Sequence, residues 1–230
     1  ISNTSYSEVV SKDLMPYTQW FRGASLNYAE HVFRNETEKY PAIIYASEGE
    51  AIKEISWHEL KWKVAAFRNF LLQSGVEAGD RVVAYLPTIP EATIAFLATN
   101  SIGGVWSSTS PDFGTSSVID RFSQIAPKVL IAVNGYKYGG KSFNRIKEVK
   151  EIAENLDDLE KVVIIPYIES NEDVFPDKAV SWDETINSRT EELRFKHVPF
   201  QHPIWVLYSS GTTGMPKAIT HSNGGVLLEH

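Results

Sequence analysis

The sequence predicts an α/β fold: a mostly parallel sheet flanked by helices, with a small N-terminal hairpin. Three observations carry this. Short apolar runs rich in β-branched residues recur at Arg81–Pro87, Val129–Val133 and Val162–Ile165. Stretches with apolar residues three and four apart lie between them, the spacing of a helix with one buried face. The apolar run Ile204-Trp205-Val206-Leu207 leads into a loop of glycines and hydroxyls. Alternation of this kind implies βαβ units and a sheet covered on both faces.

The elements follow in order. Residues 1–20 are polar with a few aromatics and read as irregular; residues 1–41 are taken as a leader and 42–230 as the main body. Ala42–Ala46 and Ala51–Ile55 flank Ser47-Glu48-Gly49-Glu50, a hairpin signal. Ser56 followed by Glu59 fits a capping box that opens a helix. Trp57, Leu60, Val64, Phe67 and Leu71 form its apolar stripe, and Gly75 fits its stop. Arg81–Leu86 is a strand ended by Pro87, residues 90–101 are a helix ended by Gly103-Gly104, and Val105–Ser108 is a second strand. Residues 115–125 are helical with Val118, Phe122 and Ile125 on one side, and Val129–Val133 is again a strand. Ser142–Asn155 is expected to be an amphipathic helix built on Phe143, Ile146, Val149, Ile152 and Leu156, before the strand at 162–165. Residues 169–200, rich in Asp, Glu, Asn and Pro, read as a surface connection with one helical turn near Trp182–Ile186.

Composition excludes several classes. A chain of 230 residues is long enough for a sizeable core in one or two domains. A net charge of −7 argues against general nucleic-acid binding, while leaving room for a local basic patch that holds a nucleotide. The absence of cysteine excludes disulfides, thiolate metal sites and a cysteine nucleophile. The polar opening Ile1-Ser2-Asn3-Thr4-Ser5 is no signal peptide, and its missing methionine suggests a trimmed N-terminus. The longest uncharged run, Ala92–Pro111, is broken by Asn100, Gly103 and Gly104, so no membrane span is expected. A cytoplasmic protein is the expectation. The glycosylation triplets at Asn3 and Asn35 then read as chance matches.

The segment richest in chemistry is Tyr208-Ser209-Ser210-Gly211-Thr212-Thr213-Gly214-Met215-Pro216-Lys217. Gly211 and Gly214 let the backbone approach a ligand and turn its N–H groups inward. The hydroxyls of Ser209, Ser210, Thr212 and Thr213 donate further hydrogen bonds, and Lys217 adds a compact positive charge. Such a loop suits a polyphosphate. It is not a Walker A loop: counted from Gly211, the second glycine position holds Pro216, and Ala218 follows the lysine.

Other constellations say less. Asp112-Phe113-Gly114 matches the kinase magnesium triplet, but no H-R-D-x-x-x-x-N element accompanies it. The six histidines show no metal-ligand spacing; His221, just after the loop's second strand, could face the site, but a structural role is favoured. Lys137-Tyr138-Gly139-Gly140-Lys141 could clamp a phosphate and stack a base, or be a solvated basic turn before a helix; chemistry alone slightly favours the turn. Arg121 either fixes the preceding loop or lies on the surface.

The loop resembles the phosphate-binding signature of the adenylate-forming enzymes, the acyl-CoA synthetases, luciferases and peptide-synthetase adenylation domains: [YF]-[ST]-S-G-[ST]-T-G-x-P-K is met at every fixed position. Trp20–Glu30, with its Leu-Asn-Tyr-Ala-Glu ending, and Trp106–Gly114 resemble the acetoacetyl-CoA synthetase branch of that family. Tyr136–Lys141 is similar to the region where the acetate branch sets basic residues against the CoA nucleotide phosphate, with lysines here where that branch has arginines. The resemblance implies that residues 42–230 are the N-terminal part of a large adenylation domain. It implies an AMP-forming ligase acting on acetoacetate, with ATP, magnesium and CoA. Ser209, Ser210, Gly211, Thr212, Thr213, Gly214 and Lys217 would hold the ATP phosphates, and Lys137, Lys141 and Arg121 would belong to the CoA region. Later motifs of the family, including its catalytic lysine, do not occur by His230, so the chain reads as the first third of such an enzyme, with its C-terminal domain absent. Acetate, propionate or another short acid remains an alternative substrate, and a non-catalytic nucleotide-binding scaffold an alternative for the 230 residues alone.

Overall fold

The computed structural model describes residues 2–169, 175–187, 192–210 and 214–230. Near the N-terminus β1 (Glu8–Val10) and β2 (Trp20–Arg22) pair antiparallel, with Glu8 opposite Arg22 and Val10 opposite Trp20. The expectation of an irregular stretch over 1–20 is corrected here. A three-residue strand shows no alternation that a sequence could reveal. β3 (Ser25–Leu26) and α1 (Tyr28–Phe33) follow. Asn27 caps α1 by accepting from the Glu30 N–H at 3.2 Å. Fully buried, it also donates its amide to the carbonyls of Asn100 and Lys196, each at 2.8 Å. Leu26, Ala29 and Phe33 are buried with it.

The small hairpin forms as expected, from β4 (Ile43–Tyr45) and β5 (Lys53–Ile55). Ser56 caps α2 (Trp57–Gln73), accepting from the Glu59 N–H at 3.1 Å. Leu60, Val64, Phe67 and Leu71 are buried along one face, and Gly75 leaves the helix at φ +76°. There follow β6 (Arg81–Tyr85), α3 (Pro90–Ser101), β7 (Val105–Thr109), α4 (Thr115–Phe122) with a 3-10 turn at Ser123–Ile125, and β8 (Val129–Val133).

One segment departs from the expected helix at Ser142–Asn155. The chain forms a hairpin, β9 (Gly135–Tyr138) and β10 (Lys141–Asn144), and α5 starts only at Ile146 and runs to Glu154. Gly139 and Gly140 turn it at φ +59° and +73°, the pair of left-handed residues that a two-residue turn of matching twist requires. Phe143 fits the helical spacing, but it stacks on Tyr136 across the ribbon, with ring centroids 5.1 Å apart. Cross-strand pairing outweighs local periodicity here.

β11 (Lys161–Ile165) is followed by β12 (Ala179–Ser181), α6 (Trp182–Ile186), β13 (Val198–Pro199), β14 (Pro203–Ser209), β15 (Lys217–Ser222) and α7 (Asn223–Glu229). The stretch expected as surface connection therefore supplies an edge strand and a core residue. Trp182 is 4% exposed, and its ring lies 4.8 Å from that of Phe67.

The main sheet has seven strands in the order β12-β11-β8-β6-β7-β14-β15, parallel throughout except for the last pair. Val82 and Ala84 face the core that includes α2, α3 and Trp182, while Val83 and Tyr85 face the one beneath α4 and α5. The chain passes from β6 out to β7 and then crosses back to β8 on the other side. Such a reversal opens a crevice at the carboxyl ends of strands, where open α/β sheets bind ligands.

Candidate functional site

β6, β7, β8, β11 and β14 run parallel, so the loops after Tyr85, Thr109, Val133, Ile165 and Ser209 leave the same edge of the sheet. The hydroxyl- and glycine-rich loop after β14 and the basic hairpin after β8 both rise there. Three strand positions separate their roots, roughly 14 Å at the usual strand spacing.

The hydroxyl- and glycine-rich segment joins β14 to β15. The register of these two strands sets Lys217 directly opposite Ser209, so the two side chains leave the same face of the ribbon. Ser209, Ser210 and Lys217 are exposed, and Gly214 adopts φ +98°. Gly211, Thr212 and Thr213 lie outside the described residues.

The base of the loop is anchored on three sides. The Ser107 hydroxyl donates to the Val206 carbonyl at 2.7 Å, joining β7 to β14. The Gln124 amide donates to the Pro216 carbonyl at 3.1 Å. The Tyr208 hydroxyl donates to the Arg121 carbonyl at 2.7 Å. Burial pushes the Tyr208 phenol up to about 12, despite opposing effects of Ser107 and Arg121, so at neutral pH it is a dependable donor. The Arg121 guanidinium lies over the rings of Phe113 and Tyr208, with centroids at 5.0 and 5.9 Å, and donates to the Ser117 carbonyl at 2.6 Å. Arg121 thus buttresses Tyr208, at the end of β14, from α4. His221 accepts from the Trp205 indole at 2.6 Å through Nδ1, a structural role at the root of the same hairpin.

The second cluster is the hairpin at 135–144. Pairing of Tyr138 with Lys141 and of Lys137 with Ser142 puts the two lysines on opposite faces of the ribbon. Lys141 shares its face with Tyr138, Tyr136 and Phe143. Lys137 lies on the other face and helps Lys53, the larger influence, to hold the Glu50 carboxyl below its ordinary value. The Gly140 N–H donates to Glu48 at 2.8 Å, docking the hairpin tip on the turn between β4 and β5.

Between the clusters lies the turn after β7. The Tyr85 hydroxyl shares its one proton between the carbonyls of Pro111 and Phe113, at 2.8 and 2.9 Å, and burial raises its phenol to about 12. Arg145 reaches the same Pro111 carbonyl at 2.9 Å. Tyr85 and Arg145, which hold this turn, carry no sequence signal beyond an aromatic or basic residue at a strand or helix terminus, which is common; Tyr136 opens the segment that resembles the CoA region. Among the described residues, no three His, Asp or Glu side chains gather to hold a metal ion, and no helix is long and apolar enough to cross a membrane.

Known proteins resemble the whole chain. It is 42% identical over 240 residues to the acetoacetyl-CoA synthetase of Macaca fascicularis, covering 100% of this chain and 36% of that protein. The acetoacetyl-coenzyme A synthetase of Rhizobium meliloti is 39% identical over 233 residues, covering 100% of this chain and 35% of that one. The structure of acetoacetyl-CoA synthetase from Streptomyces lividans superposes with a TM-score of 0.94 at 46% identity, again over 100% of this chain and 35% of that one. The chain spans about a third of the length of these relatives. Residues 30–229 match the family model described as AMP-binding enzyme, and the chain belongs to that family.

Proposed function

We propose that the full-length polypeptide carrying this chain is an AMP-forming acid–thiol ligase that activates acetoacetate. One observation carries the reading: a loop of hydroxyls, glycines and a lysine crowns a hairpin at the carboxyl edge of a parallel sheet, in a chain similar throughout to acetoacetyl-CoA synthetases.

ATP, as its magnesium complex, and CoA enter as substrates. In the first half-reaction a carboxylate oxygen attacks the α-phosphorus, the bond to the bridging oxygen breaks, and its electron pair leaves with pyrophosphate. Ser209, Ser210, Thr212, Thr213 and the backbone N–H groups near Gly211 and Gly214 hold the β- and γ-phosphates. Lys217, opposite Ser209, offsets the charge that builds on the departing pyrophosphate. In the second half-reaction the CoA sulfur attacks the acyl carbonyl, AMP departs, and the thiol proton passes to solvent. Lys141, with Tyr138 beside it for a base to stack on, is the stronger candidate for the CoA nucleotide phosphate. Lys137 is second, since it lies on the opposite face of the ribbon from that ring. Arg121 supports the phosphate loop rather than touching CoA. A cytoplasmic site of action accompanies this reading.

The test is carboxylate-dependent ATP–pyrophosphate exchange by the full-length protein, comparing acetoacetate with acetate, propionate and butyrate. Exchange strongest with acetoacetate is the expected result. Exchange strongest with another acid keeps the mechanism and replaces the substrate, and no exchange with any of them rejects the ligase reading.

A further inference from the structure

We propose that Arg145 is the positioning residue that sets the basic hairpin for CoA; the inference rests on the reading that this hairpin meets CoA. Arg145 stands at the hinge between β10 and α5. Its backbone N–H donates to the Asn134 carbonyl at 2.8 Å, closing the base of the hairpin. Its guanidinium then reaches three separate pieces of the protein. Nε donates to the Pro111 carbonyl at 2.9 Å, Nη1 pairs with the Glu148 carboxylate at 2.6 Å, and Nη2 donates to the Tyr136 hydroxyl at 3.1 Å. The guanidinium also lies over the Tyr136 ring, 5.2 Å from its centroid. Glu148, one turn into α5, holds the fork still. Tyr136 carries β9, and Pro111 belongs to the turn whose Phe113 ring faces Arg121 at the base of the phosphate loop. Arg145 is therefore the junction between the two loop systems at the carboxyl edge of the sheet.

Two features separate this role from plain stabilisation. The Pro111 carbonyl keeps the Tyr85 hydroxyl as a donor if Arg145 is removed, so no buried acceptor is orphaned. The Arg145 side chain is 21% exposed, and Glu148 and the half-buried Tyr136 can turn to solvent. Loss of Arg145 therefore spares the core and frees the orientation of the hairpin. A lysine cannot replace it, because one ammonium on a flexible stem cannot span the three partners or stack on the ring.

The test uses Arg145→Lys, Arg145→Gln, Tyr136→Phe and Lys141→Ala in the full-length protein. It reads ATP–pyrophosphate exchange, which needs no CoA, beside the KM for CoA in the complete reaction. Expected are exchange within about two-fold of the parent and a CoA KM raised about ten-fold in both Arg145 variants, equivalent to one decade of affinity. Tyr136→Phe, which removes one of the three partners, gives a smaller rise. An unchanged CoA KM in both Arg145 variants, with a raised one in Lys141→Ala, overturns the inference and leaves the hairpin reading standing. Loss of exchange and of CoA affinity in equal measure, in Arg145→Lys as well as Arg145→Gln, marks Arg145 as merely structural and also overturns it. An unchanged CoA KM in Lys141→Ala and the Arg145 variants alike rejects the hairpin reading itself.

Discussion

The Tyr208 hydroxyl donates to the backbone carbonyl of Arg121 at 2.7 Å, while the Arg121 guanidinium lies over the Tyr208 ring. Two contacts in opposite senses thus tie Tyr208, the first residue of the hydroxyl- and glycine-rich motif, to α4. Tyr208→Phe keeps the ring and removes the hydrogen bond. It is expected to cost about 1 kcal/mol of stability, the usual net worth of such a bond, and to raise the KM for ATP in pyrophosphate exchange. An unchanged KM would mean that the loop holds its place without this anchor.

The two raised phenols give the fold an alkaline limit. Tyr85 and Tyr208 are each pushed up to about 12 from 10.0, chiefly by burial. The folded state thus keeps two protons that the unfolded chain releases near pH 10. Their contribution to stability is fully present below pH 10 and is lost as pH rises from 10 through about 12. Urea denaturation from pH 8 to 11 should show a fall above pH 10 that is shallower in the Tyr85→Phe/Tyr208→Phe double variant. Parallel curves would contradict the assignment.

Lys217→Ala removes the charge opposite Ser209. If Lys217 stabilises the departing pyrophosphate, exchange should fall by about 10²-fold, the scale seen when one preorganised donor is lost. The melting temperature should hardly move, because the side chain is exposed. An exchange rate within two-fold of the parent would remove Lys217 from the site.

Gly135 opens the hairpin at a position with no room for a side chain. A Cβ there would lie 2.3 Å from Ile168 Cδ1 and 2.4 Å from the Phe143 carbonyl oxygen. Gly135→Ala must shift the backbone of β10 and should cost about 1–3 kcal/mol, as overpacking does. The CoA KM should rise with it, while Gly139→Ala, with open space around its Cβ, acts through its left-handed φ alone. Thermal denaturation with CoA titration separates the two.

Trp182 tests how far the acidic, proline-containing segment before it belongs to the core. Its ring packs on Phe67 and is almost wholly buried. Trp182→Ala should destabilise by about 3–5 kcal/mol, the range for a large core truncation. A loss below 1 kcal/mol by chemical denaturation would mean that α6 docks only loosely.

Much of the molecule was legible because its determinants are local. The Ser56 cap, the stripe from Leu60 to Leu71 and the stop at Gly75 lie within one helix, so their spacing alone specifies it. The buried strands at 81–85, 129–133 and 161–165 are long enough and apolar enough to stand out from their flanks. The motif from Tyr208 to Lys217 needs no partner elsewhere in the chain to be seen.

What the tertiary structure alone decided is pairing across distance. β1, β12 and β13 hold two or three residues each, too few for a period of two to show. Ser142–Asn144 joins β9 instead of α5, because Phe143 gains more by stacking on Tyr136 than by extending a helix. The register that sets Lys217 against Ser209, the opposed faces of Lys137 and Lys141, and the junction at Arg145 follow from strand partners and loop docking. A linear sequence carries the propensity of each segment; which segments meet depends on the free energy of burying them together, and that is a property of the whole fold.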